Sequence, residues 1–404
     1  MPARPLHAVL LPPGPALLPI LAAALDGGPA ILPLDPAAPA EVLRRQLAAL
    51  APDAVVDADG LHKLDADAGQ PGDAAAEEAE AEGEDDVAVV VATSGSTGPP
   101  KGVELTAAAL RQSAAATLQQ LGADRGQRWL CCLPTSNIAG LQVLVRSLLA
   151  GSSPEFGRFD PASLAASSAD FVSVVPTMLL RALDAGSDLR RFEAVLVGGA
   201  AADPALVARA RAAGVRVVTT YGMTETAGGC VYDGVPLPDV QVTVDDQARI
   251  WLAGAVLARG YRRAPARSAA AFIDGWYRTE DRGRLEPDGR LTVLGRLDDI
   301  VVSGGVNVSL PVVAAALAGH PDVADATAFA RPDAEWGQRI VAVVVPGDRR
   351  PDLAELRSFV AATAGAAAAP RDLVLVAALP LLPGGKLDRQ ALAGLNPSPA
   401  EPAP

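Results

Sequence analysis

The chain has only three histidines among 404 residues, His7, His62 and His320, and none neighbours a residue that would serve as a nucleophile. That argues against a histidine-based triad and against a zinc site. Its three cysteines, two of them adjacent (Cys131, Cys132), give neither a disulfide framework nor a metal-ligand spacing, and fit a reducing cytoplasm. Aromatic residues are 4% of a chain that is half hydrophobic, so the core must be built from Ala, Val and Leu. Positive charge is also short: 34 basic against 47 acidic residues, a net charge of −13. No basic stripe is available for nucleic acid, although a local positive pocket could still hold a small anion. No uninterrupted apolar run is long enough to span a membrane, so no membrane insertion is expected. The stretch from Met1 to Leu25 is apolar but broken by Pro12, Pro13, Pro15 and Pro19, and reads as a short surface helix rather than a targeting segment.

Lysine is as scarce as histidine. Only Lys63, Lys101 and Lys386 occur, against 34 basic residues in all. Lys is a compact point charge suited to a tight phosphate site, whereas Arg is a planar fork. Two of the lysines fall in glycine-rich segments, and the more telling one is Thr93-Ser94-Gly95-Ser96-Thr97-Gly98-Pro99-Pro100-Lys101-Gly102. It follows the β-branched run Val87 to Val91, which reads as a buried strand, and precedes Thr106, which can cap a helix. Glycines let the backbone turn its N–H groups onto an anion, hydroxyls add donors, and Lys101 adds charge. The segment is a phosphate cradle. It is not a Walker A loop, which wants Gly before the Lys and Ser or Thr after it.

The length implies two or three domains. A helix is expected over Ala40 to Leu50 and a strand over Ala54 to Val56. Asp65 to Asp86 reads as a solvated acidic loop. Strands are expected at Val87–Val91, Trp129–Leu133, Phe171–Val175, Ala194–Val197 and Val215–Thr219, with helices between them, one opening on Asp203 as cap and Pro204 as first residue. This is an α/β pattern. Short strands at Val240–Val244, Arg249–Trp251 and Leu291–Leu294 suggest a small β subdomain. Beyond it, helices at Pro311 to Ala318 and Leu353 to Ala361 flank a strand at Ile340–Val345, as in a separate α+β domain. The fold class is therefore α/β: a large domain of layered α/β sheets with a small β subdomain (residues 1–296), then a smaller α+β domain (297–395), then a disordered tail (396–404).

Two further segments carry chemistry. Thr219-Thr220-Tyr221-Gly222-Met223-Thr224-Glu225-Thr226 follows a buried strand. An aromatic ring, hydroxyls and a carboxylate in one turn suit a nucleotide and its Mg²⁺. Trp276-Tyr277-Arg278-Thr279-Glu280-Asp281 leads to Gly295-Arg296-Leu297-Asp298-Asp299, where Asp281 can accept from both hydroxyls of a ribose.

In this order the motifs TSGSTGPPKG, YGMTET, YRTED, GRLDD and GGKLDR (Gly384 to Arg389) resemble the adenylate-forming superfamily of acyl-CoA synthetases, aryl-CoA ligases and peptide-synthetase adenylation domains. The stretches Ile138 to Ser147, Tyr221 to Gly234 and Glu335 to Arg339 are most similar to short o-succinylbenzoate–CoA ligases of menaquinone biosynthesis. The resemblance implies ATP, Mg²⁺ and CoA as cofactor and co-substrates, o-succinylbenzoate as the acid, and a two-step reaction through an acyl adenylate. A homodimer is left open.

It also implies the site. Thr93, Ser94, Gly95, Ser96, Thr97, Gly98, Lys101 and Thr224 hold phosphates, and Glu225 binds Mg²⁺. Gly198, Gly199, Ala200, Tyr221 and Gly222 line the adenine site; Asp281 and Arg296 take the ribose. Lys386 reaches the reacting carboxylate and α-phosphate, Asp298 is the hinge, and Gly304 and Gly305 lie by the CoA channel. Asn137, Gly140, Arg146 and Gly228 contact the acid, Arg146 pairing with its second carboxylate. Four positions depart from the family pattern: Asn137 where His is usual, Glu280 where Gly is usual, and Val312 and Ala314 where glutamates are usual. Two other readings stay open, a CoA ligase for a different acid and a weakly active nucleotide-binding scaffold.

Overall fold

The computed structural model describes residues 4–64, 86–93, 100–381 and 387–396. Two seven-stranded sheets organise its larger part. The first runs Gly260–Tyr261, Lys101–Thr106, Val87–Thr93, Ala30–Pro33, Leu6–Val9, Ala54–Asp57, Gly60–Lys63. The second runs Val235–Pro236, Gly228–Tyr232, Val217–Met223, Ala194–Val197, Phe171–Val174, Trp129–Cys131, Glu155–Phe156. Neighbours from Val217–Met223 to Glu155–Phe156 are parallel. Parallel strands need crossovers, and those crossovers are the helices the pattern called for.

Helix Pro204–Ala212 starts where expected, with the Asp203 carboxylate accepting from the N–H of Ala205. Helix Ala107–Leu121 is capped by Thr106, whose Oγ1 accepts from Ala109 N at 3.0 Å. Helix Ile138–Ala150 buries nine of its residues, from Gly140 through Ser147 and at Ala150.

A third sheet is built from Val240–Val244, Arg249–Gly254, Trp276–Leu285 and Phe272–Ile273, with Leu291–Arg296 pairing to Trp276–Leu285. The fourth runs Val306–Ser309, Ile300–Ser303, Gly337–Pro346, Val323–Asp333, with Asp372–Leu375 parallel to Gly337–Pro346. Helices Leu310–Ala318 and Leu353–Ala364 cover it over a core of Val313, Leu317, Ile340, Val344, Leu356 and Val360. The chain divides into two compact units, one of Met1–Thr243, Trp251–Thr279 and Leu285–Thr292, the other of Val244–Ile250, Glu280–Arg284 and Val293–Pro404.

Three expectations change. The N-terminal stretch is not a surface helix: Leu6–Val9 is an inner strand of the first sheet, and helix Leu17–Leu25 buries Leu17, Leu21, Ala24 and Leu25. The intervening prolines mark a turn between two elements. The strand expected at Val215–Thr219 runs instead from Val217 to Met223, carrying Tyr221 and Gly222 inside the sheet. Strand Lys101–Thr106, which was not expected, returns antiparallel to Val87–Thr93 before the Thr106-capped helix begins. The acidic loop and the tail lie, but for Asp86 and Asn396, outside the described residues.

Replacing Thr106 by Ala removes the cap of helix Ala107–Leu121. The expected cost is about 1 kcal/mol, read as a drop of about 3 °C in Tm by differential scanning calorimetry; an unchanged Tm would mean that the cap contributes nothing.

Candidate functional site

In an open α/β sheet, ligands sit beyond the carboxyl ends of parallel strands. Three places picked out in the sequence end up there in the larger unit: Asn137 after Trp129–Cys131, Gly198 after Ala194–Val197, and Tyr221 to Glu225 at the end of Val217–Met223.

The turn at Thr224–Thr226 is fixed from within. Thr226 is fully buried, accepts from the N–H of Met223 at 3.0 Å and donates to the carbonyl of Gly228 at 2.7 Å. Gly222 is required because a Cβ there would lie 2.1 Å from the Gly228 carbonyl oxygen. The strand slips register between Tyr221 and Gly222, and pairing resumes with Gly222 opposite Gly229 and Met223 opposite Gly228 before the turn. Thr224 and Glu225 are half-buried. Glu225 Oε1 accepts from the Tyr261 hydroxyl at 2.9 Å, and its backbone carbonyl accepts from Ala258 N at 2.8 Å. Burial first, then the Glu225 charge, raises the Tyr261 phenol well above its ordinary pKa, so it stays a donor.

The cradle's ends are firmly placed. Thr93 and Lys101 are register partners across the antiparallel pair, and Lys101 Nζ stands 5.7 Å from the Tyr261 ring centroid. Ser94, Gly95, Ser96, Thr97 and Gly98 lie outside the described residues, as does Lys386. Gly198 donates its N–H to Val174 O at 3.2 Å, with Gly199 and Ala200 exposed beyond it.

Helix Ile138–Ala150 carries the residues expected around the acid. Asn137 is its exposed N-cap residue, and its side chain makes no capping bond. Gly140 is a packing residue: a Cβ there would sit 2.3 Å from the Pro134 carbonyl oxygen. Gly228 lies against the Gln142 side chain.

Arg146 is 4% exposed. Its Nε donates to the Gln142 carbonyl at 2.9 Å, one Nη donates to Ser173 Oγ at 3.3 Å, and its guanidinium carbon lies 3.9 Å from the Trp129 ring centroid. Burial lowers its pKa to about 10, so it remains charged at neutral pH. Among the described residues it has no carboxylate partner. A buried cation without a counter-charge is costly.

In the smaller unit, Asp281 lies in strand Trp276–Leu285 and Arg296 ends Leu291–Arg296. Glu280 makes an ion pair with Arg249 at 3.1 Å, which accounts locally for a carboxylate at that position. Asp298 lies in the short helix Leu297–Asp299, and Arg389, three residues after Lys386, pairs with the neighbouring Asp299 at 2.6 Å. Gly304 and Gly305 form the tip between Ile300–Ser303 and Val306–Ser309, and Gly304 N donates to the Trp336 carbonyl at 3.0 Å. Among the described residues no group of three or more His, Cys, Asp or Glu could cage a metal ion. A lone carboxylate such as Glu225 suits Mg²⁺ held jointly with substrate phosphates, which is how that ion is commonly bound.

Sequence reasoning missed Gln142, Ser113, Ser173 and Tyr261. Ser113 Oγ and Gln142 Nε2 both donate to the Ala227 carbonyl, at 3.0 and 2.7 Å. The signal was present for Gln142: a polar residue one helical turn before Arg146, on the same buried face.

The three cysteines are buried, and burial pushes each thiol up to about 12. Titration with a thiol reagent at pH 8 should label none in the native protein and all three after denaturation. Rapid labelling of Cys131 in the native state would contradict the closed packing around Arg146.

Residues 6–262 match the family described as AMP-binding enzyme, and residues 313–386 match the AMP-binding enzyme C-terminal domain. The probable 2-succinylbenzoate–CoA ligase of Mycobacterium tuberculosis is 46% identical over 76% of this chain and 84% of its own. The 2-succinylbenzoate–CoA ligase of Listeria monocytogenes serotype 4b is 32% identical over 76% of this chain and 69% of its own. Among solved structures, o-succinylbenzoate coenzyme A synthetase from Bacillus subtilis in complex with AMP superimposes with a TM-score of 0.82 at 25% identity, covering 97% of this chain and 89% of that one.

Proposed function

The chain belongs to the AMP-binding enzyme family, and from that premise we propose that it activates o-succinylbenzoate with ATP and transfers the acyl group to CoA. In the first step a carboxylate oxygen attacks the α-phosphorus, the α–β P–O bond breaks, and pyrophosphate leaves. In the second the CoA thiolate attacks the acyl carbonyl and AMP leaves. Both partners of the first step are anions, so rate depends on neutralising charge where it gathers.

The residues divide that task. Thr93 to Gly98 with Lys101 and Thr224 hold the phosphates, and Lys386 bridges the reacting carboxylate and α-phosphate. Glu225 would hold Mg²⁺, which when bound spreads positive charge over the phosphates. Gly198, Gly199, Ala200, Tyr221 and Gly222 frame the adenine, while Asp281 and Arg296 take the ribose hydroxyls. Asp298 is the hinge about which the C-terminal domain turns to bring Gly304 and Gly305 into use with CoA.

The observation that carries the choice of acid is the buried, charged and uncompensated Arg146. A monocarboxylic acid spends its only carboxylate in the reaction and leaves Arg146 bare. A dicarboxylic acid brings a second carboxylate to pair with it, with Ser173 and Gln142 holding the guanidinium in place.

Thioester formation should be measured with o-succinylbenzoate, benzoate, a medium-chain fatty acid and amino acids. Selective turnover of o-succinylbenzoate is expected; turnover of another acid alone would remove the substrate assignment and keep the mechanism. Arg146→Leu should lower kcat/KM for o-succinylbenzoate by about 100-fold, equivalent to about 3 kcal/mol, while Tm holds or rises because a bare buried charge is gone. Unchanged kcat/KM would place the second carboxylate elsewhere. Lys386→Ala should abolish pyrophosphate release at the adenylation step while ATP still binds; equal rates in both proteins would defeat the enzymatic reading.

A further inference from the structure

One short segment ties the phosphate-facing parts of the larger unit together. Strand Gly260–Tyr261 pairs with Lys101–Thr106, setting Tyr261 opposite Val103 and Gly260 opposite Glu104. Arg259 N donates to Glu104 O at 2.9 Å and Arg262 N donates to Gly102 O at 2.8 Å, gripping the strand that returns from the cradle. Just before it, Ala258 N holds the Glu225 backbone carbonyl. Tyr261 is 7% exposed and touches both sides: its hydroxyl donates to Glu225 Oε1, and its ring faces Lys101 Nζ. The Tyr277 hydroxyl stands 3.5 Å behind that of Tyr261, and the Phe272 ring lies 5.8 Å from the Tyr261 ring, so the phenol is backed by its neighbours.

We propose that Tyr261 is a positioning residue that aims the Glu225 carboxylate at a divalent cation and registers it to the base of the phosphate cradle. With Oε1 held by the phenol, Glu225 would offer Oε2 to the cation when one binds. Among the described residues Glu225 has no ion pair and no other side-chain hydrogen bond, so the phenol is what fixes its rotamer. Groups that orient a metal-binding carboxylate typically carry 10- to 100-fold of metal affinity. The proposal rests on the reading of Glu225 as the Mg²⁺ residue, and its test separates the two.

The test uses Tyr261→Phe, which keeps the ring, its contacts and the stacking near Lys101, and removes only the hydroxyl. Mn²⁺ binding is titrated by electron paramagnetic resonance with α,β-methylene-ATP present, in wild type, Tyr261→Phe and Glu225→Gln, with Tm recorded for each. The expected result is Mn²⁺ affinity about tenfold weaker in Tyr261→Phe, and weaker still in Glu225→Gln. In turnover, the Mg²⁺ concentration for half-maximal rate should rise about tenfold, with the KM for the acid unchanged. A role in packing alone would lower Tm and leave metal affinity untouched. Wild-type affinity in Tyr261→Phe beside weakened binding in Glu225→Gln overturns the proposal alone. Wild-type affinity in both overturns the assignment of Glu225, and the proposal with it.

Discussion

The carbonyl of Ala227 is the joint on which the larger unit's site depends. Ala227 adopts a left-handed conformation at the end of the Thr224–Thr226 turn, and its oxygen accepts from Ser113 on one helix and Gln142 on another. Two donors converging on one buried acceptor fix the turn in direction as well as distance. The next residue, Gly228, packs on the same Gln142 and sends its own carbonyl to Thr226. Four residues on from Gln142, Arg146 hangs from that residue's backbone oxygen. One glutamine thus holds the turn proposed to face phosphate with its side chain and the cation proposed to face the acid with its main chain.

A second constraint works from the outer edge. The strap from Ala258 to Arg262 grips the strand leaving the cradle and the carbonyl of Glu225, and Arg262 continues to the carbonyl of Leu50 at 2.7 Å. Gly102 lies where a Cβ would strike Leu50, Val90 and the Arg262 side chain, so strap and strand meet without room for a larger residue. The strand that leaves the cradle at Lys101 is therefore held by the strap, by strand Val87–Thr93 and by the Leu50 side chain.

Much of this was legible before any coordinates. Apolar, β-branched runs located the parallel strands, and Asp203-Pro204 marked a helix start where the structure has one. The chemical motifs were readable because the chemistry needs rare residue types at fixed spacings: Lys where Arg prevails, Glu after Thr in a tight turn. Three kinds of feature were hidden. Leu6–Val9 is four residues long and beside prolines, too short for periodicity to register. Lys101–Thr106 mixes polar and apolar residues and reads as part of the Gly-rich segment it follows, so its place between two strands left no clear pattern. The roles of Gln142, Ser173 and Tyr261 come from contacts across 27 to 85 residues of sequence, which no local pattern encodes.

Arg146 gives the architecture a final consequence. Its stack on Trp129, itself stacked on Phe171 with ring centroids 4.9 Å apart, puts a permanent positive charge inside the layer of side chains that holds the second sheet to its helix. A folded protein normally completes its electrostatics from its own residues. On the reading proposed for this chain, the completing half is supplied from solution: the acid is the absent member of an ion pair before it is a reactant, and its arrival finishes the interior of the protein that will consume it.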